Sequence, residues 1–143
     1  MTGGSGVLGG AICRCLALAG RHVYVHANSG LTRAQEVARD ILAAGGSAGT
    51  VAFDVTDPDA TAAGVAEILR DGPIEILVNN AGIHDDAVMP GMRHEQWVRV
   101  IDVSLNGFFN VTQPLLMPMM RASVSSARSS SGRSWTSIST SSW

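Results

Sequence analysis

The sequence predicts an α/β fold in which a doubly wound parallel sheet lies between two layers of helices. Short apolar runs rich in β-branched residues alternate with stretches whose apolar residues recur at helical spacing. Glycine or proline marks most of the changes between them. The 143 residues are enough for one compact domain with a core and too few for two.

The composition is typical of a soluble globular domain: 45% of the residues are hydrophobic, 15% are charged, and the formal net charge is −2. We therefore expect no nucleic-acid partner. We also expect no membrane partner, because no apolar run approaches the ~20 residues that span a bilayer, and the amino terminus lacks a secretory pattern. Cys13 and Cys15 lie two apart on a predicted helix, where they cannot pair, which favours a reducing, cytoplasmic setting.

A glycine-rich stretch, residues 2–10, opens the chain and leads into a helix with Leu8, Ile12 and Leu16 on one face. Such a loop favours phosphate, because unpaired N–H groups and the helix dipole both point at it. Glycines 4, 6 and 9 fit the dinucleotide fingerprint, which requires a strand directly before it. Only Met1 precedes the loop, so we expect that strand to be missing.

The next elements follow in strict alternation. Residues 22–27 predict a strand, residues 31–42 a helix, and residues 49–55 a further strand. Asp57 and Pro58 predict the start of another helix. Residues 76–82 (Ile-Leu-Val-Asn-Asn-Ala-Gly) then predict a buried parallel strand that ends in amides, where a ligand would bind; an asparagine-rich turn is the alternative.

The remaining chain predicts one long helix, residues 94–120, kinked or broken at Gly107 and Pro114. In the loop before it, adjacent His84, Asp85 and Asp86 favour a solvated loop over a metal site. From Ser123 onward 11 of 21 residues are serine and none is acidic. We therefore predict a folded domain over residues 1–121 and a disordered tail over 122–143, from a reading-frame change or a genuine serine-rich linker.

The glycine loop, Asp54-Val55, the Asn-Asn-Ala-Gly of residues 79–82 and the helix carrying Trp97 and residues 102–105 together resemble the short-chain dehydrogenase/reductase family. The similarity is greatest to its β-ketoacyl-acyl-carrier-protein reductase branch and covers residues 2–120. The resemblance implies a partial Rossmann-like fold, a homo-oligomer, and reduction of a 3-oxoacyl thioester of acyl-carrier protein or coenzyme A.

The resemblance also implies residues that bind the cofactor. They are Gly3, Ser5, Gly6, Leu8 and Gly9 at the pyrophosphate and ribose, Asp54 and Val55 at the adenine, and Asn79, Ala81 and Gly82 at the riboses. Two of them have structural alternatives, since Gly9 could permit close helix packing and Asp54 could cap a turn. Val7 stands where the short-form family has a glycine, a spacing similar to the extended branch, and a positive φ there would be strained.

The end of the second strand indicates NADP(H) as the cofactor. A carboxylate at this position binds the ribose 2′-hydroxyl of NAD and repels a 2′-phosphate. This chain instead has Asn28 and Ser29, which can donate hydrogen bonds to a phosphate, and Arg33 one helical turn further on.

The family's catalytic residues are incomplete. Its Tyr-x-x-x-Lys motif is absent, because the only tyrosine is Tyr24 and all ten basic residues are arginine. Ser104 occupies the position of the family's helix asparagine. We therefore expect either the cofactor half of a NADPH-dependent reductase, or a catalytically inactive nucleotide-binding fragment, or an oligomerisation module.

Overall fold

The structure of the protein is a computed structural model that describes residues 1–130. Its elements, in chain order, are α1 (Val7–Leu18), β1 (His22–Ala27), α2 (Leu31–Ala43), β2 (Ser47–Ala52), α3 (Pro58–Arg70), a 3-10 turn (Met89–Gly91), α4 (His94–Ile101), a π-helical turn (Asp102–Asn106) and α5 (Gly107–Ser130). The predicted α/β class and parallel sheet are confirmed.

The sheet is formed by β1 and β2, which pair in parallel from His22 opposite Ser47 to Ala27 opposite Ala52. The second strand ends before the predicted residue 55. Phe53 still donates its N–H to the Ala27 carbonyl at 3.2 Å. Beyond it, the Asp54 side chain bonds with Thr56 and turns the chain away from the sheet.

Two apolar clusters cover the two faces of the sheet. The first joins α1, α2 and β1 and is formed by Cys13, Ala17, Val23, Val25, Ala27, Ala34, Val37, Ala38 and Ile41. The second joins β2, α3 and α5 and is formed by Val51, Phe53, Val55, Val65, Val111 and Leu115. Helices on both faces of a parallel sheet are the three-layer arrangement that the alternation predicted.

The prediction of a strand over residues 76–82 is wrong, because this segment belongs to no sheet ladder in the described part of the chain. A ladder needs repeated backbone hydrogen bonds to a neighbouring strand. Here the backbone contact is made by Thr2, whose N–H donates to the Val78 carbonyl at 3.0 Å. Met1 and Thr2 thus lie between β1 and this segment.

The long carboxyl-terminal helix is interrupted just before Gly107, one of the two predicted positions, and is continuous through the other, Pro114. The π-helical turn Asp102–Asn106 directly precedes Gly107, and Pro114 and Pro118 lie inside α5. Helix α5 runs to Ser130, past the predicted domain boundary at residue 121, and residues 131–143 of the predicted tail lie outside the described residues. Nowhere in residues 1–130 is a helix both long and apolar enough to cross a membrane.

Candidate functional site

The Thr2 hydroxyl joins the glycine loop to the Asn-Asn-Ala-Gly segment. This buried side chain accepts hydrogen bonds from the backbone N–H groups of Asn80 at 2.9 Å and Ala81 at 3.0 Å. It donates to the Val78 carbonyl at 3.4 Å. The hydroxyl oxygen of Thr2 therefore connects two stretches that lie nearly eighty residues apart in the sequence.

The Asn80 side chain bonds across the same junction in the opposite direction. Its amide nitrogen donates to the carbonyls of Thr2 and Gly3, each at 3.2 Å. The reciprocal bonds of Thr2 and Asn80 satisfy backbone groups of both loops. They place the glycine loop directly against residues 79–82.

The glycine loop is shaped by close backbone contacts that a larger residue would prevent. Gly3 has a φ of 61°. A Cβ on Gly9 would lie 2.1 Å from the Gly3 carbonyl oxygen, so the close-packing requirement considered from the sequence is real. Val7 is the first residue of α1 and no non-glycine residue among those described has a positive φ, so the predicted strain at Val7 does not arise.

The amino-terminal end of α1 is open to a ligand. Its N-cap, Gly6, has no side chain to accept from the first-turn N–H groups, and no acidic residue lies in that turn. Val7 and Leu8 are exposed there, at 97% and 67%. Free N–H groups together with the helix dipole suit a phosphate group, and the glycines leave room for its close approach.

His26, on β1, fixes the glycine loop by a hydrogen bond to the loop's backbone. Its buried ring accepts the Gly3 N–H at Nδ1 over 3.2 Å, and its Nε2 lies 2.8 Å from the Phe53 carbonyl. An acceptor at Nδ1 and a donor at Nε2 define the neutral Nε2–H tautomer. Burial lowers the pKa of His26, against a smaller raising effect of the Phe53 carbonyl.

Asp54 and Val55 follow β2 at the carboxyl edge of the sheet. The Asp54 Oδ1 atom accepts from the Thr56 N–H at 2.9 Å and the Thr56 hydroxyl at 2.8 Å, so the turn-capping alternative is also present. Oδ2 is the oxygen that remains for a ligand. Asn110 on α5 donates to the Val55 carbonyl at 2.9 Å and thereby ties this edge to the helix layer.

Asn28 and Ser29 follow β1 at the same edge, in an exposed turn. β1 runs directly beneath the glycine loop, because the Ser5 N–H donates to the His26 carbonyl at 3.4 Å. Arg33 lies in the first turn of α2, also exposed. The structure thus brings the predicted phosphate-binding polar side chains to the loop's side of the sheet.

Asn79, Ala81 and Ser104 meet at a small cavity of about 100 Å³, whose other lining residues include Thr2, Val55 and Gly107. Asn79 donates to the Thr112 hydroxyl on α5 at 3.0 Å. Ser104 lies exposed in the π-helical turn, a local geometry often found at functional sites. Gly82 is exposed beside them.

Asp85 in the following loop bonds with Gln96 and Arg99, which anchor it to α4 and lower its pKa.

Tyr24 is not part of this site. It lines a different cavity, and its hydroxyl donates to Asp71 at 2.5 Å. Burial, with the bond and charge of Asp71, raises its pKa to about 12. A phenol that is held in the acid form by Asp71 and does not line the cavity at Ser104 cannot replace the family's tyrosine.

Sequence reasoning missed Thr2, His26 and Asn80 as site residues. Each of them forms hydrogen bonds with residues that are distant in the sequence, so none could be recognised from a residue spacing within one helix or strand. The available signal was chemical: a hydroxyl at a glycine-loop entrance, and an amide next to the predicted ligand-binding Asn79.

Comparison with known proteins agrees with this geometry. The family model described as short chain dehydrogenase matches residues 1–133. The 3-oxoacyl-[acyl-carrier-protein] reductase FabG of Aggregatibacter actinomycetemcomitans is 36% identical over 122 residues, which cover 85% of this chain and 50% of that protein. An acetoacetyl-CoA reductase of Paracoccus denitrificans is 40% identical over 118 residues, or 80% of this chain and 46% of that protein. The chain spans about half the length of these curated relatives.

Two solved structures share the fold. A gluconate 5-dehydrogenase from Burkholderia cenocepacia, in complex with NADP and tartrate, matches 85% of this chain and 48% of its own with a TM-score of 0.78 and 32% identity. A metagenomic short-chain oxidoreductase in complex with NADP matches 85% of this chain and 55% of its own with a TM-score of 0.79, also at 32% identity. With a family model matching almost its full length, this chain belongs to the short-chain dehydrogenase family.

Proposed function

We propose that this chain binds NADP(H) and forms the cofactor-binding half of a reductase that converts a 3-oxoacyl thioester to the hydroxy product. The observation that carries this proposal is the junction made by Thr2 and Asn80, which places the glycine loop against residues 79–82. A dinucleotide needs these two stretches side by side, because its pyrophosphate and its nicotinamide ribose lie a few ångströms apart. When bound, the nicotinamide supplies the hydride.

The roles of the chain's own residues follow from their placement. Ser5, Gly6, Leu8 and the backbone at the open end of α1 would hold the pyrophosphate. Asn28 and Ser29 would donate to the 2′-phosphate, and the free Oδ2 of Asp54 would accept from the adenine amino group. The thioester carrier, acyl-carrier protein or coenzyme A, is proposed from the names of the two reductase relatives.

A catalytically inactive nucleotide-binding chain is the second candidate, and the chemistry of the residues favours it for this polypeptide alone. The sequence contains no lysine, and its one tyrosine is engaged with Asp71 outside the site. Ser104 stands where the family's helix asparagine supports a water relay. We therefore expect cofactor binding without turnover.

Both candidates are tested by titrating the chain with NADPH and NADH and following tryptophan fluorescence. We expect tighter binding of NADPH. The variant Asn28→Asp should reverse the preference, because a carboxylate repels the 2′-phosphate and accepts from the 2′-hydroxyl. Gln35→Glu, the same charge change on the exposed face of α2, is the matched control and should keep it.

Three outcomes would contradict these expectations. Binding of neither nucleotide would overturn the proposed function, and tighter binding of NADH by the unaltered chain would overturn the NADP assignment. Oxidation of NADPH in the presence of acetoacetyl-CoA, measured by the loss of NADPH absorbance, would overturn the view that this polypeptide is inactive alone.

A further inference from the structure

His26 joins β1 to the glycine loop and the residue before it by three hydrogen bonds. Its N–H donates to the Met1 carbonyl at 3.2 Å, and its carbonyl accepts the Ser5 N–H at 3.4 Å. Between these two backbone bonds, the ring accepts the Gly3 N–H at Nδ1. Of the three bonds, only the one to the ring can be removed by a proton.

The Gly3 N–H belongs to the peptide on which the shape of the loop depends. Gly3 has a positive φ, and its carbonyl accepts from the Gly6 N–H at 3.1 Å and from the Asn80 side-chain amide at 3.2 Å. Gly6 is the N-cap of α1. Gly3 therefore connects the His26 ring to the helix end at which the pyrophosphate is proposed to bind.

The loop has little room to adjust when this bond is lost. The Gly3 carbonyl is packed against Gly9, as its 2.1 Å distance from a Cβ placed there shows. A Cβ on Gly4 would lie 2.9 Å from a methyl carbon of Val25. Closely packed groups change between discrete arrangements and do not deform continuously. A displaced Gly3 peptide would therefore displace the start of α1 with it.

A proton on the His26 ring forces such a displacement. It would turn the Nδ1 acceptor into a donor that faces another donor, the Gly3 N–H. Nε2 offers no alternative, because its hydrogen is already directed at the Phe53 carbonyl at 2.8 Å. The residue is only 3% exposed and its ring packs on the Phe53 ring, with centroids 4.3 Å apart. The ring thus cannot turn toward water without leaving its place in the core.

Titratable groups face His26 from the start of the chain, from the end of β2 and from α1. Burial has the largest effect on the pKa of His26 and lowers it. The Met1 amino group lowers this pKa further and the Asp54 carboxylate raises it, each by less than burial does. On α1, burial raises the pKa of the nearby Cys13 thiol, which therefore carries no charge at neutral pH. The neutral ring is favoured by burial itself and does not require a charge on Met1.

We propose, on the basis that the glycine loop binds the NADP(H) pyrophosphate, that His26 is a positioning residue for the cofactor. The neutral ring fixes the Gly3 peptide in the arrangement that receives the pyrophosphate, and protonation of the ring weakens cofactor binding. By reciprocity, bound cofactor opposes protonation of His26 by the same factor. The affinity for the cofactor therefore falls as the pH falls, and binding at acidic pH releases a proton from His26.

The test is isothermal titration calorimetry of the full chain with NADP⁺ from about pH 7.5 to about pH 5, with circular dichroism at each pH to verify folding. We expect the dissociation constant to rise by about threefold or more over this range. The 2′-phosphate itself titrates at about pH 6, so the profile is compared with that of a variant that has no imidazole at position 26. Titrations in two buffers of different ionisation enthalpy count the protons released.

His26→Asn is the matched variant, because its amide oxygen can stand in place of Nδ1 and does not titrate. We expect it to bind NADP⁺ within about twofold of the unaltered chain at neutral pH, and to lose the contribution of His26 to the pH profile and to proton release. His26→Phe keeps a ring against Phe53 without an acceptor, and should bind about fivefold more weakly at every pH. His22→Asn, at the exposed histidine of β1, should keep the profile of the unaltered chain.

A pH profile and a proton release that His26→Asn shares with the unaltered chain would overturn the role of His26 and leave the NADP(H) site in place. Equal affinities of a folded His26→Phe variant and the unaltered chain would do the same. Absence of NADP⁺ binding by the unaltered chain at neutral pH would overturn the proposed function itself, and the role of His26 with it.

If neither variant at position 26 folds, nitrogen NMR of the His26 ring in the unaltered chain decides the question. Bound NADP⁺ should move the titration of this ring to lower pH. A titration that is the same with and without bound NADP⁺ would overturn the proposal.

Discussion

Thr2 is the residue on which most of the site's geometry depends. Its hydroxyl accepts two backbone N–H groups and donates to a carbonyl, and its backbone N–H donates to that same carbonyl. The side chain is only 4% exposed, so water cannot replace these bonds. A buried donor left without a partner costs about 1–3 kcal/mol.

We expect Thr2→Val to lower the free energy of unfolding by about 2 kcal/mol or more, because it leaves the N–H groups of Asn80 and Ala81 unpaired at nearly constant volume. Urea denaturation followed by circular dichroism measures the change. Thr2→Ser keeps the oxygen and should recover most of the loss. If Thr2→Val and the unaltered chain have equal free energies of unfolding, the junction contributes little to stability.

His26 makes the stability of the chain dependent on pH. Its lowered pKa in the folded state means that the unfolded chain binds a proton first as the pH falls. The stabilisation is fully present above the unfolded pKa of about 6.5 and is lost as the pH falls through it toward the lower folded value. Protonation at Nδ1 also removes the acceptor of the Gly3 N–H.

We therefore expect the free energy of unfolding to decrease between about pH 7 and pH 5, and His26→Gln to flatten this dependence. Urea denaturation at a series of pH values measures it. His22→Gln, at an exposed histidine of the same strand, is the control and should keep the slope. A slope unchanged by His26→Gln would assign the pH dependence to other groups.

The residues that the sequence could identify are those whose chemistry is local. The glycines of the loop are constrained by contacts within a few positions, such as Gly9 against Gly3. Thr2 and His26 could not be found in this way, because their bonds reach to residues 80 and 53. Distant pairing leaves no periodic signal along the chain.

Among the elements, α3 begins as its residues predicted. Asp57 is the N-cap, and its carboxylate accepts from the N–H groups of Asp59 at 2.9 Å and Ala60 at 3.0 Å. Pro58 follows in the first turn, where its missing N–H costs nothing. The whole signal lies within four residues, which is why the sequence could place it.

We expect Asp57→Ala to destabilise the chain by about 1 kcal/mol, because two first-turn N–H groups lose their acceptor. The thermal unfolding midpoint measures the change. Asp57→Asn retains a capping oxygen and should lose only a fraction of this. An equal loss in Asp57→Asn and Asp57→Ala would mean that the charge of Asp57, not its hydrogen bonds, is the stabilising contribution.

The strand predicted at residues 76–82 shows the limit of this kind of inference. Its apolar run has the composition of a buried strand, yet a strand forms only when a neighbouring strand supplies the backbone hydrogen bonds. Met1 and Thr2 supply only the first bonds of a ladder. Composition predicts the capacity to pair, and the partner decides whether pairing occurs.

On the scale of the whole molecule, the helical layer formed by α4 and α5 carries much exposed apolar surface. Its large apolar residues that are at least half exposed are Trp97, Leu105, Phe108, Phe109, Leu116, Met117 and Met120. A concentration of such residues on one layer marks an interaction surface. We propose that copies of the chain associate through it, as the family resemblance implies.

We expect the chain to sediment as a dimer or larger species whose fraction rises with concentration. Phe109→Lys combined with Leu116→Lys, two exposed positions seven apart on α5, should shift it to the monomer. Leu18→Lys, at a leucine of α1 that is 79% exposed, is the control. If the unaltered chain is monomeric over the whole concentration series, the proposal is contradicted.

The π-helical turn between α4 and α5 has a consequence for anyone who engineers this layer. One extra residue in a helix rotates everything after it by about 100° relative to what precedes it. A helical wheel drawn straight through residues 94–120 therefore misplaces the outward face of one half. Crosslinks or charge pairs that such a wheel places on one face, with one partner in α4 and the other in α5, would point to different sides of the molecule, and each helix needs a wheel of its own.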